Sequence, residues 1–243
     1  SGNGEHGLWL LDARARGNSI RGNYVGTDVN GNRRVGNVNS GIRLETPANF
    51  IGGTDAATRN VISGNTNSGI YLYLASASNN VIQGNFIGTT ATGTAALAND
   101  FAGLGLTNAP ANLIGGTNAG AGNLISGNNL NGIYLLGRAN GNTFQGNYLG
   151  TDHTGMSGIP NGAGLPLGDY GGAIDISGAA GNLIGGSVPG AGNLICANWR
   201  DAIAIGDAGA TNTVIQGNRI GVKADGVTAL GNDRHGIEIR LVG

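Results

Sequence analysis

An apolar anchor recurs along the chain as Ile20, Ile51, Ile82, Ile114, Phe144, Ile184 and Ile215, at spacings of 31, 31, 32, 30, 40 and 31 residues. A period of that length marks an array of stacked units, because one such unit cannot bury its own apolar face. Each unit holds three short apolar runs that alternate as strands with one buried face do. The first run carries the anchor. The second supplies Val25, Ile62, Ile87, Ile125, Leu149, Ile195 and Ile220, and the third is a GIxL phrase starting at Gly7, Gly41, Gly69, Gly103, Gly132, Ala173, Ala202 and Gly236. Three strands per unit, with one residue type recurring at each position, describe a coil that stacks on its copies. The spacing therefore predicts an all-β parallel β-solenoid of about seven coils, a rod roughly 35 Å long at about 4.8 Å per coil.

Composition fits this reading. The chain has 243 residues, of which 49 are Gly and 32 Asn. Both types tolerate the left-handed backbone that tight turns need, and Gly weakens helix interiors, so long helices are disfavoured. Forty per cent of the residues are hydrophobic and evenly spread, which argues against disorder. Thirteen basic residues against fourteen acidic ones, with no basic run, argue against nucleic-acid binding through a basic patch. No window of 18 apolar residues exists and the opening residues carry no leader pattern, so no membrane span is expected. The single Cys196 sits at an apolar position and reads as a small buried hydrophobe.

The units alternate. Odd ones carry a long corner after the second strand, starting at Gly26, Gly88, Gly150 and Gly221; even ones carry a shorter corner after the first strand, starting at Gly52, Gly115 and Gly185. Each corner type should stack on its own kind about 9.6 Å away, giving two ridges along the rod. The outward column of the second strand (Tyr24, Val61, Phe86, Leu124, Tyr148, Leu194, Arg219) is too apolar to stay wet. The long corners are expected to fold back over it through Val35, Leu97, Ile159 and Leu230.

The phrases NxIxGNxIGT, TGTAAL, GIxL and AGAGNLISGN resemble right-handed parallel β-helix repeats of bacterial extracellular and cell-surface proteins, across essentially the whole chain. The resemblance implies the right hand of the coil and a place outside the cell or on its surface. It leaves function open, because such repeats occur in polysaccharide lyases and hydrolases, tailspikes, adhesin-like proteins and scaffolds.

Asn23, Asn85, Asn147 and Asn218 form one column and Asn65, Asn128 and Asn198 another, each after a Gly or Ala. Their repetition in successive units fits hydrogen-bonded ladders at the turns rather than catalysis, which needs a residue once. A site should instead break the repeat. The largest break is the 40-residue unit, whose extra segment lies between Gly162 and Gly172 and leads into Asp175 on the outward face of the third strand. Asp169, Asp175, Asp201 and Arg200, with His153 on the preceding corner, form the polar cluster expected there. In a lyase such carboxylates would hold calcium against an acidic sugar while a basic residue takes a proton; in a hydrolase two of them would flank the scissile bond.

Asp28 and Asp152 open two long corners, where a calcium ladder would need oxygen ligands, but Thr90 and Lys223 hold that place in the other two, which favours turn capping. Trp9, Tyr71 and Tyr134 share the outward column Trp9, Arg43, Tyr71, Gly105, Tyr134, Asp175, Ala204 and Glu238; the two tyrosines lie two coils apart and Trp9 a further two before them, so rings about 9.6 Å apart would suit stacking on sugar. The expected function is a non-catalytic extracellular or cell-surface module, scaffold or adhesin-like, with a polysaccharide or surface glycan as partner. A polysaccharide-degrading enzyme centred on Asp175 is the alternative. No cofactor is required beyond calcium in the lyase case. The array 1–243 reads as one domain without terminal caps, as in a segment of a longer repeat protein or a subunit that associates end to end.

Overall fold

The computed structural model describes residues 1–12, 14–164 and 171–240. It is a right-handed parallel β-helix with three strands per coil, built from three parallel sheets of eight, seven and seven strands. Sheet 1 runs from Leu8–Leu10 to Ile237–Ile239, sheet 2 from Ser19–Ile20 to Val214–Gln216, and sheet 3 from Tyr24–Val25 to Arg219–Ile220. The only helical turn among the described residues is Ala56–Thr58, and no helix is long and apolar enough to cross a membrane.

The strand registers follow the sequence columns. In sheet 1, Leu8 pairs with Ile42, Ile42 with Ile70, Ile70 with Leu104, Leu104 with Ile133, Ile133 with Ile174, and Ile174 with Ile203. From Ile42 to Ile203 these side chains are fully buried, as are Ile82, Ile114 and Phe144 of sheet 2 and Ile62, Ile87 and Ile125 of sheet 3. Side chains point to opposite faces at successive strand positions, so a one-residue slip would turn every aliphatic stack outward. That cost pins the register.

Three continuous Asn ladders occupy the corners. The first joins Asn23, Asn60, Asn85, Asn123, Asn147, Asn193 and Asn218; the second runs from Asn3 through Asn37, Asn65, Asn99, Asn128, Asn161 and Asn198 to Asn232. The third joins Asn18, Asn49, Asn80, Asn112, Asn142 and Asn182. Along each ladder the side-chain amide donates to the carbonyl oxygen of the next Asn. In most coils the backbone N–H of the same residue donates to that oxygen too, as in Asn85 to Asn123. The corner thus satisfies backbone groups that the interrupted strand leaves open.

Each long corner is a small hairpin closed by antiparallel bridges such as Thr89 to Ala96, and successive corners stack, with the Ala91 N–H donating to the Gly31 carbonyl and His153 to Gly93. They fold back over sheet 3 as the apolar column required, but the covering atoms differ from those expected. Of the four residues expected to cover it, Ile159 is buried, Leu97 and Leu230 are half-buried and Val35 stays 42% exposed, while the hairpin tips at Gly31, Gly93 and Gly155 press on the column. A Cβ at Gly93 would stand 2.7 Å from the Phe86 ring and 3.0 Å from Leu124, and its φ of 65° is left-handed. Only glycine fits so close to the ring.

Candidate functional site

The outward column of sheet 1 lies in the expected register: Trp9 beside Arg43, Arg43 beside Tyr71, Tyr71 beside Gly105, Gly105 beside Tyr134, Tyr134 beside Asp175, Asp175 beside Ala204, Ala204 beside Glu238. One face therefore carries both groups of residues singled out from the sequence, an aromatic half and an acidic half.

In the aromatic half the rings do not stand apart at disaccharide spacing. Gly105 has no side chain, and Tyr134 leans into its place: a Cβ there would meet the Tyr134 ring at 2.4 Å. Tyr134 and Tyr71 consequently have centroids 6.4 Å apart, and Tyr71 stacks on Tyr73 at 5.6 Å. Phe101 closes edge-on against Tyr134 at 5.3 Å. Burial pushes the Tyr134 phenol well above its usual range, so it stays neutral and can donate.

Arg43 bridges from this cluster to Trp9. Its guanidinium carbon lies 5.4 Å from the Trp9 ring, 5.7 Å from Tyr71 and 5.1 Å from Tyr73, and Glu45 holds it in an ion pair at 2.6 Å. A planar cation held against three rings is fixed in place, and its charge is shared with the aromatic faces. Trp9 remains 49% exposed. The result is a continuous aromatic and cationic strip across five coils, open to solvent at the Trp9 end.

The acidic half centres on Asp175, which is half-buried. Burial pushes its carboxyl up to about 6; Arg240 opposes the rise and the charges of Asp201, Asp207 and Glu238 reinforce it. Asp201 accepts hydrogen bonds from the His235 backbone N–H at 3.0 Å, and its Oδ1 meets the His235 Nδ1 at 2.8 Å. Asp201, His235 and Glu238 offer ligand atoms within 4.8 Å of one another, a set able to hold a divalent ion, and Arg240 pairs with Glu238 at 3.3 Å. Ser177 donates a hydrogen bond to Asp207.

Of the cluster expected from the sequence, the fold brings Asp175 and Asp201 together. Arg200 lies at the rim, beside Trp199 and Asp233 in a shallow recess of about 550 Å³. Asp169 lies outside the described residues. His153 belongs elsewhere: its corner folds over sheet 3, where it lines a groove with Phe86 and Leu124. His235, Asp207 and Arg240 were not singled out by sequence, although Glu238 stood in the column. Their shared signal is position within the GIxI strand or just beside it in the last two coils.

Asp28 and Asp152 each commit Oδ1 to their own turn. Asp28 accepts from the amides of Asn32 and Arg33, and Asp152 from the Thr154 hydroxyl and the amides of Met156 and Ser157. Cys196 is buried, with its thiol directed to the Val222 carbonyl at 2.9 Å, in the slot that Ser63 and Ser126 fill in other coils. Comparison with protein-family models, curated proteins and solved structures finds no match to the chain.

Proposed function

We propose that the chain is a non-catalytic β-helix module, extracellular or on a cell surface, that acts as a scaffold and binds glycans along sheet 1. The observation that carries this reading is Arg43 held against Trp9, Tyr71 and Tyr73 on a solvent-facing strip. Aromatic faces stack on the apolar faces of sugar rings, and a fixed guanidinium supplies donors to hydroxyl or carboxylate oxygens. The resemblance of the repeat phrases to bacterial surface β-helices supports the location. The test is a glycan array with the wild type, Trp9→Ala and Tyr71→Ala, with circular dichroism to verify folding. Binding lost in both folded variants is expected; binding unchanged in both, or absent from the wild type, overturns the reading.

Asp175 favours a second reading, a polysaccharide-degrading enzyme. A carboxyl that keeps its proton to about pH 6 beside three further carboxylates suits a general acid paired with a base or nucleophile. Cleavage of an acidic polysaccharide that Asp175→Asn abolishes would establish it.

A further inference from the structure

The alternation of corners has a consequence for sheet 3. Long corners leave the coil between sheets 3 and 1, and short corners leave it between sheets 2 and 3, so the two ridges flank the outer face of sheet 3 on opposite sides. Between them runs a groove of about 770 Å³. Its floor is the outward column, including Phe86, Leu124 and Tyr148; one wall holds His153, and the other repeats in the corners Gly116–Gly120 and Gly186–Gly190.

Arg59 and Arg219, the charged side chains that line this groove, are both cations; His153 lines it too, and no aspartate or glutamate does. Among the described residues none of the three forms an ion pair. The Arg59 guanidinium carbon lies over the Phe86 ring, 4.0 Å from its centroid, with Nε donating to the Gly84 carbonyl at 3.3 Å. Burial disfavours its charge, and no carboxylate lines the groove to pair with it. Arg219 is tied to the Ala224 carbonyl at 3.0 Å. Val61, two residues after Arg59 in the chain, and Arg219 stand five strands apart in sheet 3, roughly 24 Å at the usual strand spacing.

We propose that this groove binds a linear acidic polysaccharide, with Arg59, His153 and Arg219 meeting successive carboxylates or sulfates. The rim supplies Thr117, Asn118 and Ser187, whose neutral donors and acceptors suit sugar hydroxyls. Single-stranded nucleic acid fits less well. It needs exposed rings for base stacking and a denser row of cations, whereas Phe86 is 7% exposed and already covered by Arg59. The site is distinct from the sheet 1 strip, so either stands if the other fails.

The test is isothermal titration at low and physiological salt with four probes: an oligogalacturonate, a heparin-derived oligosaccharide, neutral dextran and an oligothymidylate. Binding of one or both acidic glycans, weakened by salt, is expected; which of the two binds identifies carboxylate or sulfate as the partner group. The variants Arg219→Gln and Arg59→Gln should each weaken it at least about tenfold while Arg138→Gln, which removes an exposed cation outside the groove lining, leaves it unchanged. Arg59→Lys, which keeps the charge should the glutamine variant fold poorly, should retain most of the affinity. Equal binding of dextran, tighter binding of the oligothymidylate, no binding of either acidic glycan at low salt, or full affinity in Arg219→Gln would each overturn the proposal.

Discussion

Replacing one ladder residue, Asn147, with Ala should destabilise the rod far more than a surface substitution does. Asn147 is fully buried. Its carbonyl oxygen accepts from the backbone N–H and side-chain amide of Asn123 at 3.0 and 2.9 Å, and its amide donates to the Ile114 carbonyl at 2.9 Å and to Asn193 Oδ1 at 3.0 Å. Alanine removes all four. The Asn123 N–H then has no partner, which costs about 1–3 kcal/mol, and loss of the remaining ties adds about 1 kcal/mol. The expected loss is about 2–4 kcal/mol. For a chain of this size that is a fall in Tm of roughly 5–15 °C.

The assay is thermal and urea unfolding followed by circular dichroism, with Asn30→Ala as the comparison. Asn30 lies exposed at a corner tip, and its loss should stay within about 0.5 kcal/mol. Because stacked repeats can open locally, amide exchange at Asn123 and Tyr148 supplies a second readout, with both protected less in the variant. If Asn147→Ala melts with Asn30→Ala and those amides exchange at the wild-type rate, the ladder argument is refuted.

Three other outcomes follow from the same geometry. The carboxyl of Asp175 titrates higher in the folded chain than its ordinary value of 3.8, so ionising it opposes folding: the penalty is absent below pH 4, grows towards about pH 6 and is complete above. Asp175→Asn should therefore stabilise by on the order of 1–3 kcal/mol at pH 8 and be neutral at pH 4, as measured by urea midpoints at the two pH values. Burial alone would raise Asp152, but the Thr154 hydroxyl and the Ser157 and Met156 amides outweigh it and hold the carboxyl low; its stabilisation is present above about pH 4 and lost as pH falls further. Asp152→Ala should cost about 1–2 kcal/mol, and millimolar calcium should move the Tm of the wild type no more than that of the variant; a calcium-dependent rise confined to the wild type would mean the corner carboxylate ligates after all. Ala197 adopts φ of 59° where the corresponding Gly64 and Gly127 have 76° and 73°, so Ala197→Gly should raise stability by about 0.5–1 kcal/mol in the same unfolding assay, and a fall would show that the methyl group packs usefully.

The coil, the three strands and their register were legible because stacking imposes the same demand at every inward position. The ladders were only partly legible. Asn60, Asn123 and Asn193 end the short corners of even coils rather than following a strand, so phrase alignment separates them from Asn23, Asn85 and Asn147, although space interleaves them. The third ladder had a plain signal, an Asn two residues before every anchor from Ile20 to Ile184, broken by Thr213 before Ile215. The apolar column that the long corners had to cover already put His153 over sheet 3, whereas its nearness in the chain to the 40-residue unit pointed to Asp175 instead. The lean of Tyr134 was not legible, because it depends on the space that Gly105 leaves open. The Asp201–His235 contact joins residues 34 apart and exists only because one coil lies on the next.

The two outer faces differ in what the fold requires of them, and this bears on where binding is to be sought. On sheet 3 the corner tips cover the column, so Val61, Phe86, Leu124 and Leu194 are buried and their apolar character follows from packing. Arg59 and Arg219 are the residues there that packing does not explain. On sheet 1 no ridge of the described residues lies over the strands, and neither stacking nor turn formation dictates the outward residue. The inward neighbours are uniformly Ile or Leu, yet the outward column passes through Trp, Arg, Tyr, Gly, Tyr, Asp, Ala and Glu, with only Tyr appearing twice. A column free to vary would by default fill with small polar residues, since exposed large apolar groups favour association and buried carboxylates lose solvation. Trp9 at 49% exposed and a half-buried Asp175 run against that default, and that departure is the physical ground for testing this face for binding first.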